Sequence, residues 1–419
     1  MARTHEFTFS GNPDFDFEIR TTIGQAYSGA ADIGEVLAAV HGVGDKDHEG
    51  WFHAWRELGS RVAAQGEASA AAGHAVSAAA AFLRAASYYA TAVNAVASLP
   101  SDDDLLPTFR AHRAAWDRWV DLVDVRIDRV DIPYGDTTMP GYLFHAASAA
   151  GETGAAGGSS ATGASSASRP MLVVANGSDG ALTSLWSAAV SGALRRGYDA
   201  LVFDGPGQQS MLFERGVPFR PDWEAVLTPV LDFVLAQPGV DADRVAVYGI
   251  SQAGYWVPRA LAFEHRFAAA VVDPGVVDVS TSWTEHLPAN MRKLLDEAQD
   301  EKFDRDMAMG MKFSHELSYT WAFRARPYGT TGYAETMRAV LQYTAEDVAG
   351  RISTPLLITS PEHEQFWPGQ SERLAALTPD VSTLLPFTEA EGADFHVQPL
   401  GRALTEQRMF DWLDEKLGR

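Results

Sequence analysis

The sequence predicts an α/β architecture: a mostly parallel sheet with helices on both faces, a helical N-terminal domain before it and a helical lid inserted within it. Three observations carry this. Apolar residues recur at helical spacing through residues 24–120. From residue 170 onward, short apolar runs of buried-strand type alternate with helical stretches, as parallel sheets require. Residues 283–349 then break the alternation and contain no apolar strand run. The chain divides accordingly into a helical cap domain (1–120), a first part of the core (121–282), the lid (283–349) and the rest of the core (350–419). Two units, or one large domain with insertions, suit its 419 residues.

In the N-terminal part, Phe52, Trp55, Leu58 and Val62 share a helix face, as do Phe82, Ala86, Tyr89, Val93 and Val96. Alanine enriches 68–97, Gly73 marks a break and Pro100 a stop. Most of these aromatics read as core, and some are candidates to line a ligand pocket. Alternation follows at Val123, Val125 and Ile127 and again at Val130, Ile132 and Tyr134, with a one-residue slip that suggests a bulge. Asp136 and Thr137 mark a turn, and 139–145 reads as the return strand. Residues 146–168, nearly all Ala, Gly, Ser and Thr, read as a flexible surface loop.

Strands are then expected at 171–175, 200–203, 244–248, 268–272, 355–359 and 382–385. Helices are expected at 182–196, 223–235, 252–263, 371–377 and 400–417. Asp204-Gly205-Pro206-Gly207 reads as a structural turn. The lid carries Phe303, Phe313, Tyr319, Trp321, Phe323 and Tyr328, and an insertion at the C-terminal edge of such a sheet overhangs the ligand crevice.

Composition narrows the chemistry. With 33 basic and 55 acidic residues the net charge is −22, which disfavours nucleic acid and anionic membranes as partners. The absence of cysteine excludes disulfides, thiolate nucleophiles and cysteine-ligated metal. Neither a signal-peptide stretch nor a membrane-length apolar run is visible, so the expected location is the cytoplasm.

The residues that carry chemistry begin with Gly249-Ile250-Ser251-Gln252-Ala253-Gly254, between a predicted strand and a predicted helix. Small residues around the serine let strand and helix pass closely, which is the requirement of a nucleophile elbow. The bland alternative is a serine that caps a helix. Ala253 replaces the usual last glycine of the motif, and Gly254 follows at once. A serine nucleophile needs a base, and the chain order of this fold is Ser, acid, His. His396, in Glu391-Gly392-Ala393-Asp394-Phe395-His396 before the last helix, is the candidate base. The acid is expected on the loop Ser360-Pro361-Glu362-His363-Glu364-Gln365-Phe366-Trp367-Pro368, which holds no aspartate. Glu364 is the first choice because it precedes a proline by four residues, with Glu362 and then Asp273 as alternatives. Oxyanion donors are expected from the amides of Gln252 and of Ser178, in Asn176-Gly177-Ser178-Asp179-Gly180.

With these residues in place the chain resembles a branch of the α/β-hydrolase family that includes bacterial 2,6-dihydroxypseudooxynicotine hydrolase and fungal pigment-pathway hydrolases that shorten polyketides. The resemblance runs through Trp51-Phe52-His53-Ala54-Trp55, 76–89, Phe203-Asp204-Gly205-Pro206-Gly207-Gln208, the Ser251 turn, Asp273-Pro274-Gly275, 364–368 and 392–396. It implies a Ser–acid–His triad, helices covering the site, a homodimer and no cofactor or metal. It departs at the acid, an aspartate in better-known members and here a choice among glutamates. The expected function is hydrolysis of a small apolar, aromatic or polyketide-like ketone or ester through an acyl-enzyme. An acyltransferase or cyclase using the same serine, or a ligand-binding homologue without turnover, are the rival readings.

Overall fold

The first helix starts at a capping residue. Asn12 accepts hydrogen bonds from the amides of Asp14 and Phe15, and Pro13 brings a preset φ to the first turn of α1 (Pro13–Gly24). The computed structural model describes residues 8–147, 168–285 and 287–419. After α1 come α2 (Ile33–Val40), α3 (His48–Ala71), α4 (Ala75–Ala95) and α5 (Leu105–Leu122). α3 and α4 form the expected hairpin, turned at Gly73 with φ +81°. Gly59 and Gly66 let α4 press its rings onto α3: an added Cβ would lie 2.9 Å from Tyr89 and 3.0 Å from Phe82.

β1 (Arg126–Tyr134) and β2 (Thr137–His145) pair antiparallel in unbroken register, from Arg126 opposite His145 to Tyr134 opposite Thr137. The expected bulge is absent there. Val123 caps α5 and Val125 precedes β1, so their spacing belongs to a connector packed on the core, not to a strand. The sheet's shift of register lies between Arg169 and Met171, where β3 (Arg169–Ala175) meets β5 (Val240–Ile250). With β4 (Asp199–Phe203), β6 (Ala269–Asp273), β7 (Leu356–Pro361) and β8 (Ser382–Phe387), the spatial order is β1-β2-β4-β3-β5-β6-β7-β8. All neighbours from β4 to β8 pair in parallel. Of the loop 146–168, residues 148–167 lie outside the described residues.

Between β3 and β4 run α6 (Leu182–Leu185), a π-helical turn (Trp186–Val190) and α7 (Ser191–Arg195). α8 (Gln209–Phe213) and α9 (Glu224–Leu235) precede β5, and α10 (Ala253–Leu261) follows it. Between β6 and β7 stand α11 (Thr281–Thr284), α12 (Ala289–Asp296), α13 (Asp300–Met311), α14 (His315–Ala325) and α15 (Tyr333–Val340). α16 (Gln370–Leu377) and α17 (Arg402–Lys416) complete the chain.

Alternation along each strand sorts side chains onto two faces. Leu172, Val174, Ala200, Val202 and Tyr248 join a core with α1, α3, α4, α5 and α17. Met171, Val173, Leu201, Val245 and Val247 join a second core with α9 and α10. The strand ends, and the loops after them, are thereby fixed from both sides. No helix among the described residues is long and apolar enough to cross a membrane.

Candidate active site

Ser251 occupies the sharp turn from β5 into α10 with φ +57°, a left-handed conformation costly for a residue with a side chain. The turn is held at both ends. Ser251 N–H donates to Asp273 O at 2.7 Å, and Gly254 N–H donates to Ser251 O at 2.7 Å. Two glycines make room: a Cβ on Gly249 would lie 2.5 Å from Ala253 O, and one on Gly254 1.9 Å from Pro274 O. The close approach is thus made at Gly254, which explains why a methyl group is tolerated at Ala253.

Ser251 Oγ lies 2.9 Å from Nε2 of His396. The other ring nitrogen, Nδ1, meets both carboxylate oxygens of Glu364 at 2.8 and 2.9 Å. Glu364 Oε1 also accepts from the amides of Phe366 at 2.9 Å and Trp367 at 3.2 Å. Burial alone would raise the Glu364 carboxyl, but the His396 ring and these two N–H groups outweigh it and hold it below its ordinary value. An ionised carboxylate only accepts, so Nδ1 of His396 carries the hydrogen and Nε2 is left to accept from the Ser251 hydroxyl. The ring is packed edge-to-face on Phe366 at 4.7 Å and lies beside Trp367 and Phe17, while Gln365 Oε1 accepts from the His396 amide at 2.8 Å.

The other candidate acids are engaged elsewhere. Glu362 is exposed and accepts from the amide of Glu389 at 2.9 Å. Asp273 is fully buried and accepts from Tyr248, Thr359 and Gln398 at 2.8, 2.6 and 2.8 Å, bracing the strand ends and the segment after His396.

The loop after β3 comes up against the serine. A Cβ on Gly177 would lie 2.7 Å from Ser251 Cβ, so only glycine lets this backbone approach. Asn176 shapes the loop, accepting from the Gly177 amide at 2.9 Å and donating to Ala181 O at 2.8 Å. The amides of Ser178 and Gln252 have no acceptor among the described residues.

Ser251, His396, Ser178 and Gln252 open onto one cavity of about 940 Å³. One wall is α1, which presents Asp14, Phe17, Glu18 and Thr21 at helical spacing, with Gln25 just past its end. Another wall comes from the helices between β6 and β7, with Trp283, Phe323 and Tyr328. In the sequence α1 is signalled by the pair Asn12-Pro13 and by Phe15, Ile19 and Ile23 four residues apart, but neither shows that its other side lines a cavity. Burial and the facing Asp179 push the Glu18 carboxyl up to about 8, with Asn94 opposing and Asp14 adding a smaller rise. No group of three or more His, Asp or Glu among the described residues could hold a metal ion.

Comparison with known proteins agrees with this architecture. A family model described as the prolyl oligopeptidase family matches residues 227–311, which include β5, the Ser251 turn and α10. Hydrolase acrC of Aspergillus aculeatus is 31% identical, with 98% of each chain covered. The 20-hydroxy-prefusarin hydrolase FUS2 of Gibberella moniliformis is 27% identical over 96% of each. Among solved structures, 2,6-dihydroxy-pseudo-oxynicotine hydrolase shares the fold with a TM-score of 0.69 at 19% identity, covering 94% of this chain and 95% of that one. With an eight-stranded sheet of this order and a relative so similar over nearly its whole length, the chain belongs to the α/β-hydrolase family.

Proposed function

We propose that the chain is a serine hydrolase in which Ser251 attacks a carbonyl carbon, His396 is the base and Glu364 orients it. One observation carries the reading: an unbroken line of hydrogen bonds from Ser251 Oγ through His396 to Glu364, at 2.9 and 2.8 Å, with the serine on a left-handed turn. As Oγ bonds to the carbonyl carbon, its proton passes to His396 Nε2, and the oxyanion takes hydrogen bonds from the amides of Gln252 and Ser178. Collapse breaks the bond to the leaving group, which receives the proton from His396. Water, deprotonated by the same ring, then attacks the acyl-enzyme and frees Ser251.

The cavity supports an apolar or aromatic substrate, because Phe17, Phe213, Phe219, Trp283 and Tyr328 line it. FUS2 is named for a 20-hydroxy-prefusarin substrate, which favours a polyketide-like ketone or ester here. If the leaving group is an alcohol the enzyme is an esterase, and if it is a stabilised carbanion it cleaves a carbon–carbon bond. The test is fluorophosphonate labelling and turnover of p-nitrophenyl esters, aromatic 1,3-diketones and aminoacyl p-nitroanilides, with Ser251→Ala as control. Labelling and turnover that vanish in Ser251→Ala support the reading. A folded wild type that neither labels nor turns over any of the three overturns it.

A further inference from the structure

The turn after β4 does more than reverse the chain. We infer that Gln208 is a positioning residue that aims the Ser178 amide at the oxyanion site; this rests on the serine-hydrolase reading above. Gln208 is 2% exposed and does not line the cavity, whereas Gly177 and Ser178 do, so its side chain stands behind their loop. Its Oε1 accepts from the Gly205 amide at 2.7 Å, which fixes which end of the side-chain amide is nitrogen. That nitrogen donates to two successive carbonyls, Asn176 O at 2.7 Å and Gly177 O at 2.9 Å.

The consequence follows from the planarity of the peptide group. In a trans peptide the C=O of one residue and the N–H of the next point in opposite directions. With the Gly177 carbonyl drawn back to Gln208, the Ser178 N–H of the same plane points away from it, to the cavity side where Ser251 stands. That N–H has no acceptor among the described residues. The preceding N–H, from Gly177, is taken by Asn176 Oδ1 at 2.9 Å, so Ser178 is the first amide of the loop left to serve.

The turn itself is rigid enough to act as a clamp. Gln208 N–H donates to Gly205 O at 3.0 Å and Gly207 N–H to Val217 O at 2.9 Å. Gly207 has φ +77°, with the Phe219 ring 1.9 Å from where a Cβ would sit. Asp204 accepts from the Ser210 amide and from Arg113 of α5. Without the donor, two buried carbonyls lose their partner and the peptide plane is free to rotate toward other donors.

The experiment compares wild type with Gln208→Met and with Gln208→Glu, which keeps the size and the acceptor for Gly205. Substrate is p-nitrophenyl butyrate, and inhibitor an alkyl trifluoromethyl ketone, whose adduct with a serine carries an oxyanion. Both variants are expected to lose about 10- to 100-fold in kcat with KM within about twofold, and to bind the ketone weaker by the same factor as kcat/KM falls. A merely structural role would lower melting temperature without this parallel loss. A folded variant whose kcat and ketone inhibition stay within about twofold of wild type, or whose loss lies wholly in KM, overturns the assignment. Indifferent variants of an enzyme still labelled at Ser251 remove Gln208 alone. A wild type that is neither labelled nor active removes the hydrolase reading and Gln208 with it.

Discussion

Ser251 is held in a left-handed conformation by what surrounds it, and the surroundings are glycine. Gly254→Ala forces a methyl group into Pro274 O, so it should cost more stability than the ~0.5–1 kcal/mol that exchanging glycine and alanine ordinarily moves, and should depress activity with it. Denaturant melts and ester turnover measured together would check this. Glu364→Gln should lower kcat on the order of a thousand-fold or more, because the amide can donate to Nδ1 and favour the wrong tautomer, while Glu362→Gln should change little. Equal losses in both variants would refute the assignment of the acid. Glu18 gives a pH prediction. Its carboxyl is raised to about 8 in the fold, facing Asp179 from the β3 loop, Asp14 from its own helix and Asn94 from α4. The folded chain therefore holds a proton that the unfolded chain has released between about 4.5 and 8, and stability declines as pH rises through that window. Glu18→Gln should raise the melting temperature at pH 8.5 and leave it unchanged at pH 4, as read by calorimetry. At this scale the chain order of Ser251, Glu364 and His396 singled out three side chains that the fold joins in one line of hydrogen bonds. It was silent on Gln208, whose partners are carbonyls that any sequence supplies.

Elements were legible where one periodicity ran unbroken. α3 and α4 carry apolar stripes many residues long, and Gly73 between them needs its positive φ. The strands β3, β4, β6 and β7 are short apolar runs buried on both faces, a pattern that bounded turns make readable. The failures have physical reasons. Val123 and Val125 mimic strand alternation because a connector packed on the core also buries alternate residues. α1 is harder to read because its stripe of Phe15, Ile19 and Ile23 is only three residues long and is interleaved with Asp14, Asp16, Glu18 and Arg20. Its start depends on Asn12, and Asn12→Ala should cost ~1 kcal/mol and speed hydrogen exchange of the first-turn amides, with the rest of the fold unmoved. Protection unchanged at Asp14 and Phe15 would show that the cap does not matter.

Across the whole molecule, the N-terminal helices and one face of the sheet share a single apolar core, from Phe15 and Trp55 to Val174 and Phe410. Far-ultraviolet and tryptophan near-ultraviolet signals should therefore melt together in urea, and a chain beginning after α5 should aggregate, its Phe144 and Leu185 uncovered. Two separated transitions would instead make the helices an independent unit. The excess of 22 negative charges should raise KM for an anionic ester over its neutral analogue at low salt, the gap narrowing as salt is added. Two walls of the cavity, α1 and the helices between β6 and β7, lie on stretches of chain that contribute neither Ser251 nor His396 nor Glu364. Phe17 of α1 also lies beside the His396 ring, so it is the wall between β6 and β7 that substitution can reshape without touching the line from Ser251 to Glu364. Point changes at Trp283 or Phe323 should therefore alter which esters are accepted and leave fluorophosphonate labelling at Ser251 intact.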